Sequence, residues 1–163
     1  MTSPLHSPLR IGIVGLGRLG QRHAQALAFS TRNCVLTAAC SPVEAEQAYA
    51  REQLGIQQVY SRYEDLLASP DVDAVVLVTP TSLHADQTIA ALQAGKHVFV
   101  EKPLALNLPD CERVLAEAEK HPDLIAMVGF VRRFDPSYRA AQASIEAGEI
   151  GRPFIVRSQT CDQ

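Results

Sequence analysis

Short apolar runs alternate along the chain with segments in which apolar residues recur every three or four positions. Apolar runs of this kind indicate buried strands, and the wider spacing indicates helices that bury one face. Strands that alternate with helices form a parallel sheet covered on both faces. The pattern therefore predicts an α/β fold, a doubly wound parallel sheet. Its six strands are predicted at 11–14, 35–40, 58–60, 74–78, 96–100 and 125–128.

The segments between these strands have helical spacing. Ser41 with Glu44, and Ser61 with Glu64, match a capping box, so each serine is predicted to begin a helix. A later helix, about 108–121, is predicted to pack an apolar face that includes Cys111 on the sheet. The remaining helices are predicted at about 18–29, before Gly95, and at 136–147.

A glycine motif, Gly15-Leu16-Gly17-Arg18-Leu19-Gly20, joins the first strand to the first helix. Such a turn directs backbone N–H groups and the positive end of the helix dipole at one point, where a pyrophosphate can bind. Gly15 permits the tight turn, Gly17 lets a phosphate approach, and Gly20 lets the helix pack closely. The loop, with Arg18 and Leu19, is therefore predicted to bind a dinucleotide. His23, one turn further on, is predicted to be a packed, hydrogen-bonded core histidine rather than a catalytic one.

The second strand ends at Ser41, about 20 residues after the glycine motif, where the residue that contacts the adenosine ribose is expected. A carboxylate at this position binds both ribose hydroxyls of NAD and repels the 2′-phosphate of NADP. Serine does neither strongly, and no arginine follows closely. Ser41 is therefore either a cofactor contact or only a helix cap. The sequence leaves the choice between NAD and NADP open, and we expect weak discrimination between them.

Two later strands end at the same edge of the predicted sheet, the edge where ligands bind in such folds. Thr79 and Pro80 follow the fourth strand, and Glu101-Lys102-Pro103 follows the fifth. The Lys102 ammonium could stabilise an alkoxide that forms as hydride leaves an alcohol. The alternative is a surface Glu–Lys pair. His84, in the first turn of a helix, lies near the predicted cofactor, but capping or solvation is its predicted role.

The composition narrows the classes of partner. Fifteen Lys and Arg against eighteen Asp and Glu give a net charge of −3, with no basic block. This pattern favours neither nucleic acid nor an anionic membrane as a partner. The four cysteines lack C-x-x-C spacing, which indicates reduced thiols rather than a metal set and hence the cytoplasm. Residues 1–9 are predicted to be a disordered tail.

The motifs together resemble the glucose-fructose oxidoreductase, inositol dehydrogenase and MocA family. The matching segments are the glycine motif with His23, Thr79-Pro80 with His84, 94–105 around Glu101-Lys102-Pro103, 129–138 and 149–153. The last two segments are similar to its inositol dehydrogenase branch.

This resemblance implies a Rossmann domain that binds NAD, or possibly NADP, and an enzyme that oxidises a secondary alcohol of a cyclic polyol or sugar. Lys102 would be the catalytic contact to the reacting hydroxyl, and Pro103 would carry a cis peptide bond. Arg132 would line the polyol pocket. The positions that would contact the cofactor are Gly15, Gly17, Arg18, Leu19, Gly20, Ser41, Thr79, Pro80, His84, Glu101, Lys102 and Pro103.

The resemblance also predicts the domain organisation: a Rossmann domain over 10–152 and, over 153–163, the first strand of a truncated second α+β domain. That strand, Phe154–Thr160, would bring Thr160 and Asp162 near the substrate. In the family the catalytic Asp and His lie later, and homo-oligomers form through the second domain. We therefore expect these 163 residues alone to bind cofactor, to self-associate, and not to turn over a polyol.

The sequence leaves two classes of function open. One is the cofactor domain of an NAD(P)-dependent polyol or sugar dehydrogenase, which Glu101-Lys102-Pro103 and Arg132 favour. The other is a non-catalytic dinucleotide-binding module or redox sensor, because no histidine in this chain is identified as the general base.

Overall fold

A computed structural model describes residues 7–157 and Gln159. These residues form two compact units, divided between Gly129 and Phe130. The first unit contains a parallel sheet with helices on both faces. Its strands are β1 Leu9–Val14, β2 Cys34–Cys40, β3 Gln58–Tyr60, β4 Ala74–Leu77, β5 His97–Val100 and β6 Ala126–Val128. Its helices are α1 Arg18–Phe29, α2 Glu44–Glu52, α3 Tyr63–Leu67, α4 Thr81–Gln93 and α5 Leu108–Glu119.

The six strands lie in the order β3-β2-β1-β4-β5-β6, and every neighbouring pair is parallel. This confirms the predicted doubly wound sheet. The strand order reverses beside β1, because β2 lies on one side of it and β4 on the other. At such a switch point the connections leave in opposite directions and open a crevice at the carboxyl ends of the strands.

Two apolar clusters fill the two faces of the sheet. One contains Val75, Leu77 and Leu92, and the other contains Ile13 and Leu16. All four residues of β4 are buried, as expected for a central strand covered on both faces. This packing fixes the positions at which the strands end and therefore the geometry of the crevice.

Several predicted boundaries and faces are wrong. β1 begins at Leu9, so Leu9 belongs to the sheet rather than to the predicted tail. Arg62, not Ser61, is the N-cap of α3, and no side chain caps that helix. Helix α5 packs mainly against α4, and it buries Val114 and Glu117 among its residues. Cys111 is half-buried, and Leu108 and Leu115 of the predicted apolar face are 69% and 60% exposed.

The second unit contains a short 3-10 helix, Val131–Arg133, and helix α6, Pro136–Glu146. The predicted strand is not formed over residues 154–157 or at Gln159. A strand requires a partner for its backbone groups, and no strand is found among the described residues of this unit to supply one. Thr160 and Asp162 lie outside the described residues. The predicted domain boundary near residue 152 stays a prediction.

In the part of the chain that the structure describes, no helix is both long enough and apolar enough to cross a bilayer.

Candidate dinucleotide site

The glycine loop follows β1 directly and turns the chain into α1. Gly15 has φ of 86°, and a Cβ there would lie 2.6 Å from the backbone oxygen of Val78. A Cβ on Gly20 would collide with the backbone oxygen of Gly15. Both glycines are therefore required by the packing of the turn itself.

Gly17 differs from these two glycines. Its φ of −63° and ψ of −174° suit any residue, and a Cβ there would have Glu46 Oε1, at 3.9 Å, as its nearest neighbour. Gly17 is also the N-cap of α1, which has no side-chain cap. The N–H groups of Arg18 and Leu19, at the start of the helix, have no intrahelical acceptor. The loop thus combines free space with unpaired donors, as a phosphate-binding turn requires.

A cleft of about 530 Å³ opens beside this loop, at the carboxyl ends of β1, β2 and β4. It contains five of the predicted cofactor contacts, Gly15, Gly17, Ser41, Thr79 and Pro80. The other lining residues are Val14, Cys40, Pro42, Val43, Glu46, Ser61, Tyr63, Val78, Leu83 and Gln87. The cleft therefore lies at the switch point of the sheet, where its fold places a ligand.

The wall of the cleft is mostly neutral. Burial raises the pKa of the Cys40 thiol to about 11, and burial also raises the pKa of Tyr63. The Tyr63 hydroxyl donates to the backbone oxygen of Gln87 at 2.9 Å. Of the described lining residues, Glu46 alone carries a carboxylate, and none is Lys, Arg or His.

Ser41 is not the cap of α2. That helix begins at Glu44, its N-cap is Val43, and no side chain caps it. The Ser41 side chain is instead buried, and its Oγ donates to Glu46 Oε2 at 2.6 Å and accepts from the Val43 N–H at 3.1 Å. The capping box predicted here is therefore wrong, because Ser41 pairs with the acid five residues later.

Glu46 is the residue of this site that the sequence did not identify. Its Oε2 also accepts from the Leu16 N–H in the glycine loop at 3.0 Å. The carboxylate thus joins the loop after β1 to the end of β2. Its position in the first turn of α2, beside the expected ribose contact, was the available signal.

His84 is buried, with 1% exposure. Its Nδ1 lies 2.7 Å from the backbone oxygen of Pro103, and its Nε2 lies 2.9 Å from that of Thr79. The predicted capping or solvated role is wrong, and Pro80 is the N-cap of α4. Because both ring nitrogens contact backbone oxygens, the imidazole joins the end of β4 to the turn after β5.

Glu101-Lys102-Pro103 forms that turn after β5. The Glu101 carboxylate accepts from His23 Nε2 at 2.8 Å and from the Lys102 N–H at 3.1 Å. The Lys102 side chain is exposed, and no ion pair or hydrogen bond of its ammonium is found among the described residues. The surface Glu–Lys pair is therefore not formed.

Two smaller predictions concern this turn. The peptide bond between Lys102 and Pro103 is cis, as predicted. His23 is bonded to Glu101 and packed against Phe99 with ring centroids 5.8 Å apart, as predicted, but it is half-buried and does not lie in the core.

Arg132 lies in the second unit. Its guanidinium is 3.4 Å from Asp135 Oδ2 and 5.2 Å from the ring centroid of Tyr138. These contacts hold an exposed arginine beside an aromatic ring. Its role in a polyol pocket stays a prediction.

Similar proteins agree on one class of enzyme. The chain is 41% identical over 155 residues to scyllo-inositol 2-dehydrogenase (NAD(+)) of Bacillus subtilis, covering 95% of this chain and 45% of that protein. It is 38% identical to myo-inositol 2-dehydrogenase of Thermotoga maritima over 94% of this chain and 46% of that protein. The chain thus spans a little under half the length of these relatives.

A solved structure gives the same result. Scyllo-inositol dehydrogenase from Lactobacillus casei, with bound NAD(H) and scyllo-inositol, superposes with a TM-score of 0.85 at 43% sequence identity. The match covers 88% of this chain and 42% of that one. Residues 9–130 match the GFO/IDH/MocA family model, described as an oxidoreductase family with an NAD-binding Rossmann fold. This chain therefore belongs to the GFO/IDH/MocA oxidoreductase family.

Proposed function

We propose that this chain is the cofactor domain of an NAD-dependent dehydrogenase that oxidises a secondary alcohol of a cyclic polyol, an inositol or a closely similar sugar. One observation carries the proposal. The open glycine loop, the cleft at the switch point and the unpaired Lys102 all lie at the carboxyl edge of one sheet, within one compact unit. The inositol dehydrogenases at about 40% identity support the substrate class.

The residues present fit a dinucleotide. The open space at Gly17 admits a phosphate, and the N–H groups of Arg18 and Leu19 can bind it. Ser41 would lie at the adenosine end of the ligand, and Thr79 and Pro80 toward its other end. A bound nicotinamide would supply the hydride acceptor.

Lys102 would act on the substrate. Its ammonium has no partner among the described residues, so it can donate to the oxygen of the reacting alcohol without breaking an existing bond. The negative charge that develops on this oxygen as its proton passes to a general base, while the hydride passes from carbon to the nicotinamide, would be stabilised most strongly near the transition state. Glu101 and His84 would hold the turn that carries Lys102, through His23 and through the backbone oxygen of Pro103.

Two broader properties belong to the same proposal. We propose a cytoplasmic protein, supported by cysteine spacing that suits reduced thiols. We also propose a homo-oligomer, supported by exposed apolar side chains at Phe154, Ile155 and Val156. Cell fractionation and light scattering test these two properties.

The experiment uses the protein as its complete gene encodes it. NADH is titrated first, following nicotinamide fluorescence, and NAD reduction is then measured with myo-inositol, scyllo-inositol, glucose and an acyclic polyol. We expect saturable NADH binding and turnover that is fastest with an inositol. Binding without turnover of any polyol would favour a non-catalytic module. No binding of NADH would overturn the proposal.

A further inference from the structure

The cofactor site lacks an acid at the end of β2, yet it contains a carboxylate at nearly the same place. Ser41 follows β2 directly, at the position from which an Asp or Glu usually binds the ribose hydroxyls of NAD. The Ser41 hydroxyl donates to Glu46 Oε2 at 2.6 Å. The side chain at the expected position therefore holds an acid that comes from α2.

The glycine loop fixes this acid from the other side. The Leu16 N–H donates to the same oxygen, Glu46 Oε2, at 3.0 Å. The other oxygen, Oε1, lies 3.9 Å from the position that a Cβ on Gly17 would occupy. The carboxylate therefore lies beside the open part of the loop, between the ends of β1 and β2.

The carboxylate keeps capacity to bind a ligand. Its two oxygens offer about four acceptor positions, and the two donors named above both use Oε2. Oε1 has no donor among the described residues. Glu46 is half-buried and lines the cleft, so a ligand in the cleft can reach it.

The charges around the cleft favour a ligand without a 2′-phosphate. No Lys, Arg or His is found among the described lining residues, and Glu46 supplies the one carboxylate there. A phosphate beside this carboxylate would bring like charges together without a cation to compensate them. A ribose with free hydroxyls would instead donate to it.

Resting on the proposed function, we propose that Glu46 binds the adenosine ribose and selects NAD over NADP, with Ser41 as the positioning residue that orients its carboxylate. We therefore expect a preference for NAD instead of the weak discrimination between NAD and NADP that Ser41 alone predicted. The selecting charge comes from the first turn of α2 instead of from the end of β2.

The test compares dissociation constants for NADH and NADPH at one fixed, low ionic strength. Glu46→Gln removes the charge and keeps the shape. We expect the wild type to prefer NADH by about tenfold or more, and the variant to lose most of this preference because NADPH binds more tightly. Glu44→Gln, an exposed acid in the same turn, is the matched control and should keep the wild-type ratio.

Glu46→Asp tests whether the loss of preference in Glu46→Gln comes from the lost charge or only from a structural change. It keeps the charge and should keep the preference for NADH, and thermal unfolding verifies that each variant is folded. A wild-type ratio near one, or an unchanged ratio in folded Glu46→Gln, would overturn the assignment while leaving the proposed function intact. Failure of the wild type to bind either dinucleotide would instead contradict the proposed function itself.

Discussion

The two edges of the parallel sheet differ in how their charged side chains are paired. At the edge where strands begin, Arg10 binds Asp73 through Nη2–Oδ1 and Nε–Oδ2 distances of 2.6 and 3.0 Å. There too, the Lys96 ammonium donates to the backbone oxygens of Ser69 and Val72, at 3.0 and 2.7 Å. At the edge where strands end, Lys102 has no such partner among the described residues. At the first edge these cations fasten strands together, whereas at the second edge the Lys102 ammonium stays available to a ligand.

The glycines of the loop show the same difference on a smaller scale. Gly15 and Gly20 are required by atoms of the protein itself, whereas Gly17 faces open space. A glycine at a position where the protein itself would admit a larger side chain indicates space reserved for a ligand. Comparing glycines that the protein's own atoms require with a glycine that they do not require therefore helps to locate the ligand-binding part of the fold.

The largest effect should come from replacing Lys102, the lysine at the edge where strands end. In the complete enzyme, Lys102→Met should lower kcat by a factor of about 100 to 1000, because it removes a donor that acts mainly in the transition state. NADH binding and thermal stability should change little, since the side chain is exposed. Steady-state kinetics with NAD and an inositol measures the effect.

Lys96→Met is the matched control from the opposite edge. It leaves two backbone oxygens without their donor, so it should lower the free energy of unfolding by about 1 to 3 kcal/mol and leave kcat near wild type. If Lys102→Met kept wild-type turnover, the turn after β5 would be structural. If Lys96→Met reduced kcat as strongly, the contrast between the edges would be lost.

The next effect concerns the glycines. Gly17→Val should fold with near wild-type stability, because its backbone angles suit valine and its space is open. It should weaken NADH binding by about tenfold or more, because the side chain would occupy the space that a phosphate needs. Fluorescence titration and thermal unfolding, run on the same preparation, separate the two properties.

Gly20→Ala should show the opposite order of effects. The alanine Cβ would collide with the Gly15 backbone, so the free energy of unfolding should fall by about 1 to 3 kcal/mol or more, whether or not NADH is present. Equal NADH affinity in Gly17→Val and the wild type would remove the loop from the proposed site. A Gly17→Val protein that unfolds like Gly20→Ala would show that both glycines are structural.

Local sequence patterns predicted the sheet well, because they depend on short-range periodicity. The fully apolar β4 and the glycine motif after β1 each specify their own backbone and surroundings. The apolar stripe of α5 was less informative. Periodicity shows which face of a helix is apolar but not which element covers it, and Leu108 and Leu115 remain exposed.

The parts of the site that the sequence did not predict depend on contacts between distant segments. His84 is buried because the turn at Pro103, 19 residues later, supplies a backbone oxygen to it. Glu46 reaches the Leu16 N–H, 30 positions earlier, because α2 lies beside the glycine loop. Neither contact has a local signature, so both side chains look like ordinary helix residues in the sequence.

The smallest effect tests the edge where strands begin, through Asp73. Hydrogen bonds from Arg10 lower the pKa of Asp73 from its ordinary value of 3.8 to about 2. A fully buried ion pair with this pKa shift would contribute about 2 kcal/mol to the free energy of unfolding. The Arg10 and Asp73 side chains, however, are 41% and 34% exposed. Solvent screening reduces the expected contribution to about 1 kcal/mol, so Asp73→Asn should lower the free energy of unfolding by that amount at pH 7.

The pH dependence identifies the source of this loss. Because the folded state holds the pKa of Asp73 below its ordinary value, the contribution is present above pH 4 and disappears as the pH falls toward 2. The stabilities of wild type and Asp73→Asn, measured by urea unfolding, should therefore converge over that interval. Asp71→Asn, whose carboxylate is 52% exposed and 3.4 Å from Arg10, should cost less than Asp73→Asn at pH 7. A gap that stayed constant down to pH 2 would mean that shape, rather than charge, fastens β1 to β4, and the two edges would then differ less than their ion pairs indicate.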